Sequence, residues 1–372
     1  MKRKIAYIDL DEIKNPLLGA GQAVATFEVG KRLVQKGHEV TVYCSRYPNS
    51  QDRYDEGIYY KHVGVGTSNI KFNNAMFIML IPFLVQKINA DIIIESFIAP
   101  TSTIGTPWYT RTPVIGLPSM FNAEEFTKKY KLPFHIIQNW GVKAYKYFMP
   151  YSDIDSMKIK KLNPKIDYKI IPQGVDEKFF NRKRATPQHI LFLSRLDIEQ
   201  KGIDLLLNAY KIIKNQTKYP LVIAGHGPDE KKISELINKL GLRDQVTMVG
   251  SAYGEKKEKL IAQAICVAFP SRHDELSLWA LEALASGMPI VAFDLPESKW
   301  MQTSAALKVK PFDIEEYGQN LLKIQNQELN EQLSQNARAL AAKYSWESVC
   351  EETEKYIEYV LEKEKRAGRK QE

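Results

Sequence analysis

Cysteine is scarce in this chain of 372 residues: Cys44, Cys266 and Cys350 are the only three. An odd number so widely spaced builds neither a disulfide framework nor a zinc ribbon, and it fits a reducing compartment. Long apolar runs are also lacking. The longest, residues 75–85, has 11 residues and includes Pro82, whereas a membrane-spanning helix needs about 20. An integral membrane protein is therefore not expected. The basic start Lys2-Arg3-Lys4 is followed by only four apolar residues before Asp9 and Asp11, too short and too charged for a secretory signal. These absences lead to a cytoplasmic expectation. No HExxH and no spaced His/Cys set occurs, so a protein zinc site is not expected either. Tandem repeats and low-complexity tracts are missing as well.

What is present is an ordinary globular balance, with 44% hydrophobic and 26% charged residues. The length favours two domains, each able to bury its own core. The net charge of +8 is unevenly placed. Residues 1–184 carry 27 basic and 17 acidic side chains, and residues 126–184 alone carry 14 and 5. Phe126, Tyr130, Phe134, Trp140, Tyr145, Tyr147 and Phe148 interleave with these charges. Such a mixture suits nucleic acid or an anionic bilayer, and it equally suits a solvated face backed by core aromatics.

Short apolar runs alternate with segments of helical period, the pattern of repeated βα units in parallel sheets covered on both faces. Strands are expected at 4–9, 39–44, 58–63, 91–95 and 113–117, then at 189–193, 221–224, 245–249, 265–269 and 289–293. Helices are expected at about 21–36, 203–215, 229–240, 255–263 and 277–286. Asn181–Pro187, charged and then interrupted by proline, reads as a linker. Trp346, Val349, Cys350, Thr353, Tyr356, Ile357, Val360 and Leu361 follow the i, i+3, i+4 spacing of one buried helical face. The expected plan is thus two Rossmann-like, doubly wound domains, 1–184 and 185–345, facing across a cleft. Residues 346–372 form a terminal helix and charged tail that pack back toward the first domain.

Two clusters could carry chemistry. The strand at 189–193 runs into Ser194-Arg195-Leu196-Asp197, and Lys201-Gly202 precede the next helix. Cations at the carboxyl end of a strand, beside a helix start, suit a pyrophosphate, with Arg195 as a fork and Lys201 as a point charge. Alone, such a pair reads more readily as a solvated surface Arg and Lys. The second cluster runs from Pro270 to Pro289 and carries Asp274 and Glu282, eight residues apart, astride a helix start. A carboxylate satisfies the paired hydroxyls of a sugar or ribose diol directly. Either acid also reads as an ordinary helix-start or surface charge.

Ser-Arg-Leu-(x4)-Lys-Gly, then Ala224-Gly-His-Gly-Pro228, then the acid-x7-Glu segment ending Glu-Ala-Leu-Ala-Ser-Gly-Met-Pro-Ile-Val resemble the retaining nucleotide-sugar glycosyltransferases of family 4, of GT-B architecture. Ile171-Pro172-Gln173-Gly174-Val175-Asp176, Tyr344-Ser345-Trp346-Glu347, Gly19-Ala20-Gly21 and Gly37-His38-Glu39-Val40-Thr41-Val42 fit the same pattern in order. The resemblance implies a metal-independent hexosyltransferase with no cofactor beyond its donor, a UDP- or GDP-sugar. Its acceptor would be a glycan, a lipid-linked sugar or another cell-envelope molecule. Arg195 and Lys201 would neutralise the diphosphate, Asp274 would contact the transferred sugar and Glu282 the ribose. Backbone N–H groups of Leu276, Ser277 and Leu278 would support the β-phosphate, Gly250 and Tyr253 would lie near the base, and Gly19 and Gly21 would admit the donor phosphate closely.

Three departures stand out. The family's first acid is usually Glu followed by Gly, where this chain has Asp274 followed by Glu275. A histidine usual after the fifth strand is replaced by Leu117-Pro118-Ser119. The loop after Phe293 reads Asp294-Leu295-Pro296-Glu297 in place of a glycine-containing turn. His273 is a candidate proton carrier but reads more readily as a surface-loop residue, and His226 reads as part of a helix-start turn. Asp9-Leu10-Asp11 and Asp153-Ile154-Asp155 match the DxD of metal-dependent transferases, a weak signal. Asp274 is also the candidate nucleophile of a rival covalent mechanism. Peripheral contact with an anionic membrane through Lys128, Lys129, Lys131, Lys143 and Lys146 accords with the basic excess. The competing class is a non-enzymatic basic protein that binds nucleic acid or membrane. A dinucleotide-dependent oxidoreductase is disfavoured, because Val24 stands where the fingerprint's third glycine belongs.

Overall fold

Strands whose side chains are apolar on both faces belong in the interior of sheets covered on both sides, and the computed structural model of the chain contains two such sheets. It describes residues 1–17, 21–273 and 277–368. The chain divides into two compact units, Met1–Gln173 together with the segment from Trp346 onward, and Gly174–Ser345.

The first unit holds β1 (Lys4–Ile8), β2 (Glu39–Ser45), β3 (Arg53–Asp55), β4 (Ile58–Val63), β5 (Ile92–Ser96), β6 (Val114–Leu117), β7 (Tyr147–Phe148) and β8 (Asp167–Tyr168). Their spatial order is β3-β4-β2-β1-β5-β6-β7-β8, parallel throughout except for the β3–β4 pair. Period-2 alternation along β1 supplies both layers. Ile5 and Tyr7 enter one core with Ala25, Val29 and Leu33 of the helix Gly21–Gln35. Ala6 and Ile8 enter the other with Phe77, Ile81 and Val85 of the helix Ile70–Val85. That last helix contains the longest apolar run of the sequence, and no helix of the described residues is long and apolar enough to cross a membrane.

The second unit holds β9 (His189–Leu193), β10 (Leu221–Ala224), β11 (Val246–Met248), β12 (Ala264–Phe269), β13 (Ile290–Phe293) and β14 (Ala306–Val309). The order is β11-β10-β9-β12-β13-β14, with every pair parallel. Alternation again splits β9, with Ile190 and Phe192 in one core and Leu191 and Leu193 in the other. These are the two doubly wound sheets that the sequence pattern predicts.

The units divide at Gln173/Gly174 and not near 184/185, for a reason visible in the packing. Val175 and Phe179 are buried in a second-unit core, and Val175 N donates to Tyr344 O at 2.7 Å. Arg182 pairs with Glu258, and Arg338 donates to the carbonyls of Phe180 and Arg182 at 2.6 and 2.8 Å. The charged stretch therefore lies on the second unit instead of linking freely. The terminal helix Trp346–Gly368 belongs to the first unit. Its Trp346, Val349, Cys350, Tyr356, Ile357 and Val360 join the core of Val29 and Leu33, as the spacing predicts. All three cysteines are free and buried.

Candidate active site

In an open α/β sheet, ligand space opens outside the carboxyl ends of the strands where the order reverses. In the second unit that reversal falls between β9 and β12. The loops after β9, β10 and β11 are laced together there. Ser194 N donates to Ala224 O at 3.1 Å, Leu196 N to His226 O at 3.1 Å, and Gly225 N to Gly250 O at 2.9 Å. Gly225 has φ +149°, and a Cβ on it would stand 1.8 Å from Ser194 O. Only glycine lets the two loops approach so closely.

These loops border a cavity of about 730 Å³ lined by Ser194, Arg195, His226, Tyr253, Lys257 and Trp279 among others. Arg195 is exposed at its edge. Tyr253, 79% exposed, precedes the helix Gly254–Ala262. Trp279 Nε1 is buried and has no hydrogen-bond partner among the described residues.

Lys201 is the last residue of the short helix Ile198–Lys201, whose N-cap Asp197 accepts from Gln200 N. It is buried, at 9% exposure. Gly202 follows at φ +64°, where a Cβ would meet Pro270 O at 2.1 Å. This turn is pressed against the loop after β12, which Arg272 fastens further. Its guanidinium donates to Ile198 O at 2.7 Å and grips both carboxylate oxygens of Asp204 at 2.8 and 2.7 Å.

Glu282 lies in the second turn of the helix Leu278–Ala285, with Ser277 at the N-cap. Lys257 Nζ donates to both of its carboxylate oxygens at 2.8 Å. Burial raises the Glu282 pKa above the usual 4.5, and the Lys257 ammonium opposes that rise.

Residues 175–340 match the model of the family described as glycosyl transferases group 1. That match spans nearly the whole of the second unit. Across 195 residues the chain is 32% identical to the MMP α-(1→4)-mannosyltransferase of Mycolicibacterium hassiacum, covering 50% of this chain and 46% of that protein. It thus spans under half of that relative's length. Among solved structures, the sucrose-phosphate synthase of Thermosynechococcus elongatus aligns with a TM-score of 0.73 at 17% identity, over 97% of this chain and 99% of that one. The Anabaena protein Alr3699/HepE, solved with UDP and glucose, aligns at 0.70 and 15% identity, over 96% and 100%. At such identities the likeness is one of fold, the GT-B fold that the sequence motifs imply.

Within the second unit, the cavity gathers Arg195 and Tyr253, with Gly250 bonded into its wall. Glu282 joins through Lys257. Lys201, Ser277 and Leu278 sit on the short elements beside the β9/β12 reversal. Gly19, Asp274 and Leu276 lie outside the described residues. Gly21, in the other unit, opens the helix Gly21–Gln35. His226 bonds Glu230 at 2.8 Å, in the turn before the helix Glu230–Lys239, and His273 is exposed.

Two residues escape the sequence reading. Lys257 stands in the run Glu255-Lys256-Lys257-Glu258-Lys259, which gives no cue that one lysine folds onto Glu282. Trp279 is adjacent to Leu278 and reads as a core aromatic until its unpartnered N–H is seen.

In the first unit the DxD candidates are absorbed by the fold. Asp9 accepts from Thr26 Oγ1 at 2.5 Å and Ser96 Oγ at 3.2 Å, and burial raises its pKa to about 6. Asp153 and Asp155 sit in the first turn of the helix Asp153–Leu162. The basic, aromatic stretch divides in two. Tyr145, Tyr147 and Phe148 are core, whereas Leu132, Ile136 and Trp140 are 53%, 59% and 56% exposed, near the exposed Lys128, Lys129, Lys131 and Lys143.

Proposed function

We propose that the chain is a glycosyltransferase that moves a hexose from a UDP- or GDP-sugar, with retention, to a glycan, lipid-linked or other cell-envelope acceptor, without a metal. The observation that carries this reading is the cavity at the β9/β12 reversal in a unit matching the group 1 family, bordered by Arg195 and by Lys257, which pairs with Glu282. The UDP and glucose in Alr3699/HepE support a nucleoside diphosphate donor. Arg195 and Lys201 offset the charge that builds on the departing diphosphate. Ser277, Leu278 and Leu276 offer N–H groups to the β-phosphate. Glu282 takes the ribose hydroxyls, Gly250 and Tyr253 border the base, and Asp274 contacts the sugar. As the anomeric carbon–oxygen bond to phosphate breaks, the acceptor oxygen bonds the same face and its proton passes to the departing phosphate oxygen. No protein nucleophile is needed.

Titration calorimetry with UDP, GDP and ADP tests the donor site, with binding of one of the three expected. Lys201→Ala and Glu282→Ala should each lower turnover by about tenfold or more with the fold intact by circular dichroism. Wild-type turnover in either variant removes that residue from the site.

The exposed Leu132, Ile136 and Trp140 among lysines favour an acceptor at an anionic membrane, because apolar side chains enter the interface while lysines meet head groups. A basic protein without enzymatic activity is the competing reading. Liposome sedimentation indifferent to anionic lipid argues against the membrane, and a salt-dependent RNA or DNA shift without sugar transfer supports the competing class.

A further inference from the structure

Glu282 has a partner before any ligand arrives. Lys257 Nζ spans its two carboxylate oxygens at 2.8 Å each, and the lysine also stands 5.4 Å from the centre of the Phe179 ring. The pair is largely shielded, with side-chain exposures of 23% and 17%, and Lys257 lines the cavity. Its neighbours are occupied differently. Lys256 Nζ donates to Val249 O and Ser251 O at 2.7 and 3.0 Å, and Lys259 is exposed.

We infer that Lys257 is a positioning residue for nucleotide binding, whose ammonium orients the Glu282 carboxylate and balances its charge so that the two oxygens accept the ribose hydroxyls of a nucleoside diphosphate. The inference rests on the donor-site reading given above. A carboxylate offers roughly four acceptor positions. Lys257 uses one on each oxygen, and one on each is left for a pair of vicinal hydroxyls. A protonated carboxyl loses that symmetry, since one oxygen becomes a donor.

Burial already disfavours the charged form of Glu282, and Lys257 is the largest influence restoring it. Among the described residues, the next charges acting on Glu282 are Lys178 and Asp176. Lys178 is shared between Asp176 Oδ2 at 3.5 Å and Glu258 Oε1 at 3.6 Å, and Arg182 also pairs with Glu258. That group compensates itself, so removing Lys257 leaves the carboxyl short of positive charge. Its pKa then rises further, and the acceptor form is lost as pH falls through a window nearer neutrality.

The test is calorimetry on the full chain with UDP and with GDP from about pH 6 to about pH 9, comparing the wild type with Lys257→Met, Lys257→Arg and Lys259→Met. Titration of the nucleotide's own phosphate is common to all and cancels in ratios to the wild type. For Lys257→Met the Kd ratio should grow as pH falls, approaching about tenfold per pH unit below the raised pKa. Lys257→Arg should hold the ratio within about threefold and flat across pH, and Lys259→Met, with the same charge change, should stay near one. A Lys257→Met ratio that is the same at every pH overturns the inference, because a purely structural role weakens binding without tilting the profile. Lys257→Gln gives the same readout should the Met variant fail to fold. If the wild type binds none of UDP, GDP and ADP, the donor-site reading falls and takes the inference with it. If the wild type binds and the profile does not tilt, only the role of Lys257 falls.

Discussion

A carboxyl group deprived of water favours its neutral form, and Glu95 on β5 shows what this means for stability. It is 1% exposed, accepts from Tyr145 Oη at 2.5 Å, and burial raises its pKa from the usual 4.5 to about 7. Between those two values the folded chain keeps a proton that the unfolded chain has released, so stability falls as pH rises through the window. Glu95→Gln keeps an acceptor for Tyr145 and removes the titration. The variant should match the wild type in urea unfolding near pH 5 and exceed it near pH 8 by on the order of 1–3 kcal/mol. Equal stabilities near pH 8 mean that Glu95 ionises in the fold at little cost. Legibility at this scale depends on whether a residue's partner is local. The places of Arg195, Lys201 and Glu282 in the fold could be read because an apolar strand or helix lies beside each. Lys257 could not, because its meaning comes from a carboxylate 25 positions away, and sequence carries no distance between helices.

Elements were legible where apolar runs were long enough to show a period. The strands expected at 39–44, 58–63 and 189–193 appear within a residue as β2, β4 and β9. β7 and β8 have two residues each and β3 has three, too few for any alternation to register, and sheet pairing creates them. β14 and the helices Ile314–Lys323 and Gln327–Ala342 were not singled out, since Leu307-Lys308 breaks the apolar run and the helices are rich in Asn, Gln and Glu. The terminal helix was the clearest, and its burial gives a prediction. Ile357 is fully buried on the first unit. Ile357→Ala should cost about 2–5 kcal/mol of that unit's stability, the usual range for a truncated buried aliphatic side chain. Nucleotide affinity, which the proposed donor site assigns to the other unit, should stay unchanged. A loss of affinity equal to the loss of stability breaks that separation.

For the whole molecule, the decisive fact is that one unit is a single stretch of chain and the other is not. Both cores of the second unit draw their residues from 174–345, and its sheet closes without help from elsewhere. The first unit needs the helix Trp346–Gly368, which supplies Trp346, Val349, Cys350, Tyr356, Ile357 and Val360 to the core around Val29 and Leu33. At roughly 25 cal/mol per Å² of apolar surface removed from water, six such side chains contribute an amount comparable with the net stability of about 5–15 kcal/mol typical of a domain. The fragment 174–345 should therefore unfold cooperatively by itself and retain whichever nucleoside diphosphate the full chain binds. The fragment 1–173 should remain unfolded or lack fixed packing until the segment 346–368 is fused to it through a flexible linker. Near-ultraviolet circular dichroism and urea titration of the three fragments decide the matter. A well-packed, cooperative 1–173 would mean that the terminal helix is a late addition to a finished core, and a 174–345 fragment that cannot fold would mean that the second unit's stability is not its own.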